Sequence, residues 1–356
     1  MVLDQTARPG RDDDLGLRVA TALVTFWHIR GYWSEGRRWL ELLLRDTHTR
    51  DQRLRAKALN AAAWLAWDES DYGRASELSE EALSISRLLD DPWSVGWSAG
   101  RLSHARWMQG RYEEAADLAR EAVACFRTLD APWYVGWSLH QLGRVAHSAG
   151  DDDLAAGLFN ESLASLQRAG DRGFATSFQY ANLGDVAAAR GDYAHAVELY
   201  EQALSPLREL GFKQGLIHTL HRLAGVWRKL GNAQRAVEDE REALTVCRDV
   251  GDLCGVARSF EGLALWAGTP ERAIQLFSAG ERLRRTVECP PLHQHDVETS
   301  GRVASLRASI PADVFERAWS TGAALGLAEV VQLALSSEAD AHPGATARWD
   351  QAPAAE

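Results

Sequence analysis

The chain has 356 residues, of which 46% are hydrophobic and 25% charged, an ordinary composition for a globular protein. This length exceeds what one compact core usually covers, so we expect several domains or an elongated repeat array. The formal net charge of −11 disfavours nucleic acid and anionic membranes as direct partners. No apolar run is long enough to span a membrane, and the polar start Met1–Gln5 predicts no signal peptide.

A segment near residue 92 returns forty residues further along the chain. Pro92–Ser98 reads PWSVGWS, and Pro132–Ser138 reads PWYVGWS. A short turn between two helical patterns recurs at intervals of 40, 40, 41 and 40 residues, at Ser70, Gly110, Gly150, Gly191 and Gly231. Weaker copies at Gly31 and Gly268 extend the series, which predicts seven helical hairpins between about residues 15 and 287.

The chemistry of these turns fits a helix end followed by a helix start. Glycine accepts the left-handed conformation that ends a helix, and a following Asp or Asn can cap the next one. Arg111 lacks this capping ability, so we expect a weaker turn there. A small residue recurs five positions after each turn and allows close helix packing: Gly36, Ala75, Ala115, Ala155, Ala196, Ala236 and Ala273.

The pattern resembles the tetratricopeptide repeat in its longer form of about forty residues. The resemblance rests on the pairs Leu142-Gly143 and Leu183-Gly184, the Gly-x-Tyr turns and the small positions. Asp152 and Ala233 depart from it, because they replace the turn tyrosine. The resemblance implies an all-α fold, a right-handed α-solenoid of about seven such hairpins over residues 15–287.

The two ends of the chain differ from the repeats. Residues 1–14 and 336–356 are expected to be disordered, the latter because of its Ala, Ser, Pro and Asp content. Residues 288–335 are expected to form a loop at Pro290-Pro291 and then capping helices over about 296–309 and 312–335, broken near Gly322 or Gly326. Such helices would cover the apolar end of the repeat array.

One face of each first helix carries an unusual set of side chains. Residues 2, 5, 9 and 12 of that helix share a face, because they are three or four positions apart. The side chains that we expect to bind a ligand on this face, together with Arg222 beside it, are Trp64, Trp67, Trp97, His104, Trp107, Trp137, His140, Arg144, His147, Phe178, Asp185, His218 and His221. An apolar groove with a few placed polar groups is how peptide and small-molecule sites are built.

Structural roles compete with this interpretation. Tryptophan in such helices also fills gaps between repeats, and a register error of one residue would rotate these rings by about 100°. We assign Trp93 and Trp133 to packing between repeats. Arg144 and Asp185 occupy equivalent positions on adjacent repeats and could form a structural ion pair. Exposed tryptophan could also mark a dimer surface.

Motifs for catalysis and cofactor binding are missing from the sequence. No Gly-Lys-Ser/Thr sequence forms a phosphate-binding loop, and no Gly-x-Ser-x-Gly elbow occurs. We therefore predict no enzyme activity and no cofactor. Cys289 with His293 and His295 has a weak metal-like spacing, but without a clear fourth ligand we predict no metal. The four cysteines form no CxxC pair, which favours reduced thiols in a cytoplasm.

A second resemblance concerns the chain outside the repeat motif. The segment Phe26–Tyr32, the segment Glu35–Leu40 and the closing helices around Phe315–Trp319 resemble the repeat region of large bacterial signal-transduction ATPase regulators of the maltose-activator kind. In that family the repeats sense an inducer or partner, beside ATPase and DNA-binding modules that this sequence does not contain. The resemblance implies sensing or scaffolding over about residues 15–335.

Three hypotheses follow from the sequence. The first is a non-catalytic, regulatory binding protein that captures a peptide or partner protein in an aromatic and histidine-lined groove. The second is a small-molecule sensor, the inducer-binding part of a transcriptional regulator system. The third, with least support, is a biosynthetic enzyme in which His104, His140 or His147 acts as acid or base beside aromatic walls.

Overall fold

All secondary structure in the described part of the chain is helical. The computed structural model describes residues 13–336 except 31, 47–48, 50, 70, 288 and 290–292. Eighteen helices and no strand occur within these residues, which confirms the all-α prediction. Residues 1–12 and 337–356, which include most of the two segments predicted to be disordered, lie outside the described residues.

The helices follow one another with short connections. In chain order they are α1 (Asp13–Ala22), α2 (Val24–Arg30), α3 (Trp33–Asp46), α4 (Gln52–Asp68), α5 (Tyr72–Leu88), α6 (Pro92–Met108), α7 (Tyr112–Thr128), α8 (Pro132–Ser148), α9 (Asp152–Arg168), α10 (Phe174–Ala189), α11 (Tyr193–Glu209), α12 (Lys213–Lys229), α13 (Ala233–Val250), α14 (Leu253–Ala264), α15 (Pro270–Thr286), α16 (His293–Ser309), α17 (Ala312–Ala324) and α18 (Leu327–Leu335).

These helices form seven consecutive hairpins followed by three closing helices. The first hairpin pairs the split helix α1–α2 with α3, and the others run from α4–α5 to α14–α15. The predicted α-solenoid class of tetratricopeptide-like hairpins is confirmed. Helix α17 packs on α15 so closely that a side chain at Gly322 would collide with the backbone of Gln275. The break between α17 and α18 falls at Leu325–Gly326.

The chain divides into two compact units, Met1–Asn182 (the N-unit) and Leu183–Glu356 (the C-unit), with the boundary inside α10. Leucines such as Leu59 and Leu65 of α4 are fully buried in the N-unit core. In the C-unit, Phe260 of α14 and Phe277 of α15 are fully buried and pack with Phe315 of α17. Each unit therefore has a hydrophobic core of its own.

Small residues bring the two helices of a hairpin into close contact. Gly143 of α8 lies against Phe159 of α9, and a Cβ atom added at Gly143 would be 2.5 Å from the ring. Gly184 of α10 has the same relation to Tyr200 of α11, where the added Cβ would be 2.7 Å from the ring. In both Leu-Gly pairs, an aromatic ring of the second helix thus occupies the space that a side chain at the glycine would need.

The turns between paired helices have the predicted capping chemistry. Gly150 has a φ of 84°, in the left-handed region that favours glycine, and Asp151 then caps α9 by accepting a hydrogen bond from the Leu154 amide at 3.0 Å. Arg111 occupies the equivalent place before α7 and makes no side-chain cap, as expected.

The cysteines do not match the expectation of reduced thiols throughout. Cys254, in the first turn of α14, forms a disulfide with Cys289, which follows α15. Cys125 and Cys247 are free. The spacing of 35 residues between the bonded cysteines did not indicate a pair, because it is the antiparallel course of α14 and α15 that brings the start of one beside the end of the other.

Across the described residues, no single helix is both long and apolar enough to cross a membrane. Helices α17 and α18 reach that length and composition only when taken together, and a bend of 117° separates them. Phe315 and Val330 of these helices are buried in the C-unit core.

The contact between Gly143 and Phe159 predicts opposite effects for two glycine substitutions. Gly143→Ala should lower the free energy of unfolding by about 1–3 kcal/mol, because the methyl group overlaps the phenyl ring. The matched control is Gly157→Ala in the exposed interior of α9, where no atom lies within 4 Å of an added Cβ. It should raise the free energy of unfolding by about 0.5–1 kcal/mol. Urea denaturation followed by circular dichroism measures both, and equal effects would contradict the packing.

The cap at Asp151 gives a second prediction. Asp151→Ala should lower the free energy of unfolding by about 0.5–2 kcal/mol, because the Leu154 amide loses its acceptor. Arg111→Ala at the equivalent turn removes no cap and only an exposed ion pair with Glu114, so its effect should stay within about 0.5 kcal/mol. Thermal denaturation of the two variants beside the parent distinguishes these outcomes. A loss at Arg111 as large as that at Asp151 would show that the side-chain caps do not stabilise the turns.

Candidate functional site

The first helices of the N-unit place five of the predicted tryptophans on neighbouring helices. Each of the five rings is partly buried and partly exposed, neither sealed in the core nor free in solvent. We call these rings, together with the cations stacked on them, the aromatic face; its tryptophans are Trp64 and Trp67 of α4, Trp97 and Trp107 of α6, and Trp137 of α8.

One part of this face is built around Arg101. Its guanidinium lies 4.5 Å from the Trp64 ring centroid and 5.2 Å from that of Trp97, so it stands between indoles of two consecutive repeats. The His28 ring lies 4.6 Å from Trp64, and its Nδ1 is 2.6 Å from a carboxylate oxygen of Asp68. The rings of His28 and Trp64 and the guanidinium of Arg101 thus form a continuous stack from α2 through α4 to α6.

A second, parallel part of the face is built around His104. The His104 ring lies 4.9 Å from Trp67 and 5.5 Å from Trp107, and the Arg144 guanidinium is 4.0 Å from the Trp107 ring. The Trp107 Nε1–H donates a hydrogen bond to Ser148 Oγ at 2.8 Å. Stacked rings therefore run from α4 to α6, and the guanidinium of Arg144 on α8 covers the last of them.

The electrostatics of the face are cationic. Desolvation lowers the pKa of Arg101 to about 10, against the attraction of the Asp68 carboxylate, so Arg101 remains charged at neutral pH. Burial, together with Arg144 and Arg101, lowers the pKa of His104, which is neutral at pH 7. His104 Nε2 and Trp67 Nε1 are buried without a hydrogen-bond partner. The face thus combines a charged guanidinium with two buried polar atoms that lack a hydrogen-bond partner.

A cavity of about 220 Å³ lies between α4, α6 and α8 and shares Trp97 with the cluster around Arg101. Its walls are Lys57, Asn60, Trp93, Ser94, Trp97 and Tyr134. Asn60 donates a hydrogen bond to Ser98 Oγ at 2.8 Å, while its buried Oδ1 has no partner. Trp93 and Tyr134 meet edge to face at 4.7 Å between their centroids. We expected Trp93 to pack between repeats and did not predict Tyr134 as a site residue, although the repeated segments PWSVGWS and PWYVGWS contain them.

Trp137 belongs to a third cluster. Its ring stacks on Trp133 with centroids 5.7 Å apart and on His140 at 5.0 Å, and Phe178 meets it edge-on at 5.9 Å. His147 lies further along α8 with its Nδ1 2.6 Å from a carboxylate oxygen of Asp152, so it pairs with the start of α9.

Two of the predicted ligand-binding histidines are structural instead. His140 is buried, and its Nδ1 lies 3.2 Å from Gln179 Oε1 and 3.1 Å from Asn182 Nδ2, which ties α8 to α10. His221 is also buried, with its Nδ1 2.9 Å from a carboxylate oxygen of Glu240. The prediction that these rings line a groove is wrong, because polar side chains of neighbouring helices cover position 5 in both repeats.

The remaining predicted residues lie in the C-unit. Asp185 accepts a hydrogen bond from the Tyr200 hydroxyl at 2.7 Å and is 3.0 Å from the Arg222 guanidinium. His218 is exposed on α12. Asp185 and Arg222 therefore pair with each other across α10 and α12.

Residue types that ligate metals do not cluster in the described part of the chain. No group of three or more His, Cys, Asp or Glu side chains in this part of the chain is arranged to hold a metal ion. Cys289, one member of the weak metal-like spacing, is in the disulfide, and the side chains of His293 and His295 lie outside the described residues.

Comparisons with known proteins agree with this architecture. Tetratricopeptide-repeat family models match residues 94–168, 134–209 and 216–250. No curated protein sequence matches the chain significantly. Among solved structures, a Rap protein in complex with competence and sporulation factor is similar with a TM-score of 0.64 and 12% identity, over 91% of this chain and 87% of that one.

Two further structures share the fold. The apo form of RapI has a TM-score of 0.53 and 9% identity, over 78% of this chain and all of its own length. A signal transduction ATPase with numerous domains from Pyrococcus horikoshii, which has a tetratricopeptide repeat sensor, has a TM-score of 0.57 and 12% identity. That match covers 86% of this chain and 44% of the ATPase. Residues 94–209 and 216–250 of this chain are therefore tetratricopeptide repeats.

Proposed function

We propose that this chain is a non-catalytic binding protein that captures a peptide segment of a partner on the aromatic face of the N-unit, in a regulatory role. The observation that carries the proposal is the position of Arg101, held between the rings of Trp64 and Trp97. A guanidinium oriented on two indoles is ready to receive a carboxylate in bidentate geometry.

The cavity that shares Trp97 with the cluster around Arg101 supplies the second half of the recognition. Its aromatic walls suit one apolar or aromatic side chain, and Lys57 adds a cation to the lining. A peptide with a bulky apolar residue next to an acidic residue, or next to its C-terminal carboxylate, fits both features. Burial of an aromatic anchor in such a pocket is the usual source of binding energy at interfaces.

The comparisons support a scaffold function in a general way. The similar Rap structure holds a bound factor, and the similar ATPase carries its repeats as a sensor, so this fold accommodates partners in other proteins. A small-molecule inducer is the second candidate. The cavity of about 220 Å³ favours it, since that volume suits one aromatic ring or a short aliphatic acid.

Selection of displayed peptides tests the proposal. A library of random dodecapeptides should yield binders to the parent protein that share an apolar anchor beside a carboxylate. Arg101→Ala and Trp97→Ala should weaken the binding of a selected peptide by about tenfold or more, because a charge-assisted hydrogen bond and an aromatic wall are lost. Fluorescence anisotropy of the labelled peptide measures the dissociation constants.

The matched control is Arg127→Ala, which removes an exposed arginine paired with Glu161 elsewhere in the N-unit. It should leave the dissociation constant unchanged. Peptides that bind Arg101→Ala and Trp97→Ala as tightly as the parent would refute the aromatic face as the site. A thermal shift with small carboxylic acids, but no selected peptide, would favour the inducer instead.

A further inference from the structure

The repeat register contains one exception in the second helix of the sixth hairpin. The equivalent position is leucine in the four preceding second helices, at Leu78, Leu118, Leu158 and Leu199, and aspartate in α13, at Asp239. The preceding helix, α12, also departs from the pattern, because Trp227 stands where three of the four preceding first helices have alanine. An indole in α12 and a carboxylic acid in α13 therefore occupy positions at which the preceding repeats mostly have alanine and leucine.

These two residues line a cavity of about 440 Å³ between α11, α12 and α13 of the C-unit. Its other walls are Glu201, Leu204, Ser205, Arg208, Glu209, Leu223 and Arg235. The apolar part comes from the leucines and the indole. Three of the lining side chains, Glu201, Glu209 and Asp239, are carboxylic acids.

Asp239 makes no ion pair within the described part of the chain, although Arg208 and Arg235 line the same cavity and attract its carboxylate. Its Oδ2 is buried and has no hydrogen-bond partner. Arg208 is engaged by Glu242, with Nε and Nη2 at 3.1 and 2.8 Å from its carboxylate oxygens. Arg235 stands over Trp227 at 5.6 Å and lies 3.6 Å from Glu201. Burial, together with Glu242, raises the pKa of Asp239 to about 7. The ionised form of a carboxyl group in this position is stabilised by a ligand that donates hydrogen bonds and carries positive charge.

We propose that this cavity binds an organic cation, a primary ammonium or guanidinium on a short apolar chain. The Asp239 carboxylate accepts hydrogen bonds from the cationic head, and Trp227, Leu204 and Leu223 pack on the chain. The head can belong to a free small amine or to a basic side chain of another molecule, since both present the same chemistry. This site lies in the C-unit and is independent of the aromatic face.

Isothermal titration calorimetry at pH 8 and physiological salt tests the proposal, since Asp239 is ionised one unit above its pKa of about 7. The probes are agmatine, as a free amine, and a tripeptide with blocked ends and a central lysine, as a side-chain donor. For the probe that binds, Asp239→Asn and Asp239→Leu should each raise the dissociation constant by about ten- to a hundredfold, because a charge-assisted hydrogen bond is lost. Binding of one probe alone identifies the source of the cation.

Two controls keep the result specific. Glu161→Gln makes the same change in net charge on an exposed N-unit helix and should leave the affinity unchanged. Asp239→Leu restores the residue of the other repeats, so it should fold and have a Tm at least as high as the parent. No binding of either probe to the parent at millimolar concentration, or equal affinities for the parent and Asp239→Asn, would overturn the proposal.

Discussion

The close contact between paired helices is the constraint on which the rest of the molecule depends. Where a glycine or alanine faces its partner, the backbones approach until a ring such as Phe159 or Tyr200 rests on the opposite helix. This contact sets the rotation of each first helix about its axis. The rotation in turn decides which side chains enter the core and which reach the aromatic face. A methyl group added in this contact therefore affects both the stability of the hairpin and the positions of the side chains on the aromatic face.

The aromatic face follows from that rotation in successive repeats. Neighbouring first helices present equivalent positions side by side, so an indole on one helix meets a cation or imidazole on the next. Arg101 between Trp64 and Trp97, and Arg144 over Trp107, are two instances of the same geometry. Stacking holds the guanidinium groups in one orientation and reduces the entropy that a ligand would otherwise have to remove. The aromatic face is therefore preorganised for binding.

The fold could be predicted from the sequence because period, turn chemistry and small positions all indicated the same hairpin. The site could be predicted only in part. The tryptophans lie on the expected helices, but the burial of His140 depends on Gln179 and Asn182, about forty residues away, which no local pattern reveals. The stacking of Arg101 also depends on Trp64 of the preceding repeat, which no local pattern reveals. Asp239 was missed although the register itself carries the signal: four leucines and then an acid.

Repeat arrays are held together by contacts between neighbours, so their terminal hairpins, which have a neighbour on one side only, are the natural places for fraying to begin. The disulfide between Cys254 and Cys289 joins the start of α14 to the segment after α15 across 35 residues of sequence. It therefore links the two helices of the last hairpin covalently at the end opposite their connecting turn. Under oxidising conditions the disulfide prevents the start of α14 from separating from the end of α15. Under reducing conditions this covalent link is lost, and the hairpin is then held only by non-covalent contacts, among them those of α14 with α15 and those of α15 with α17 and α18.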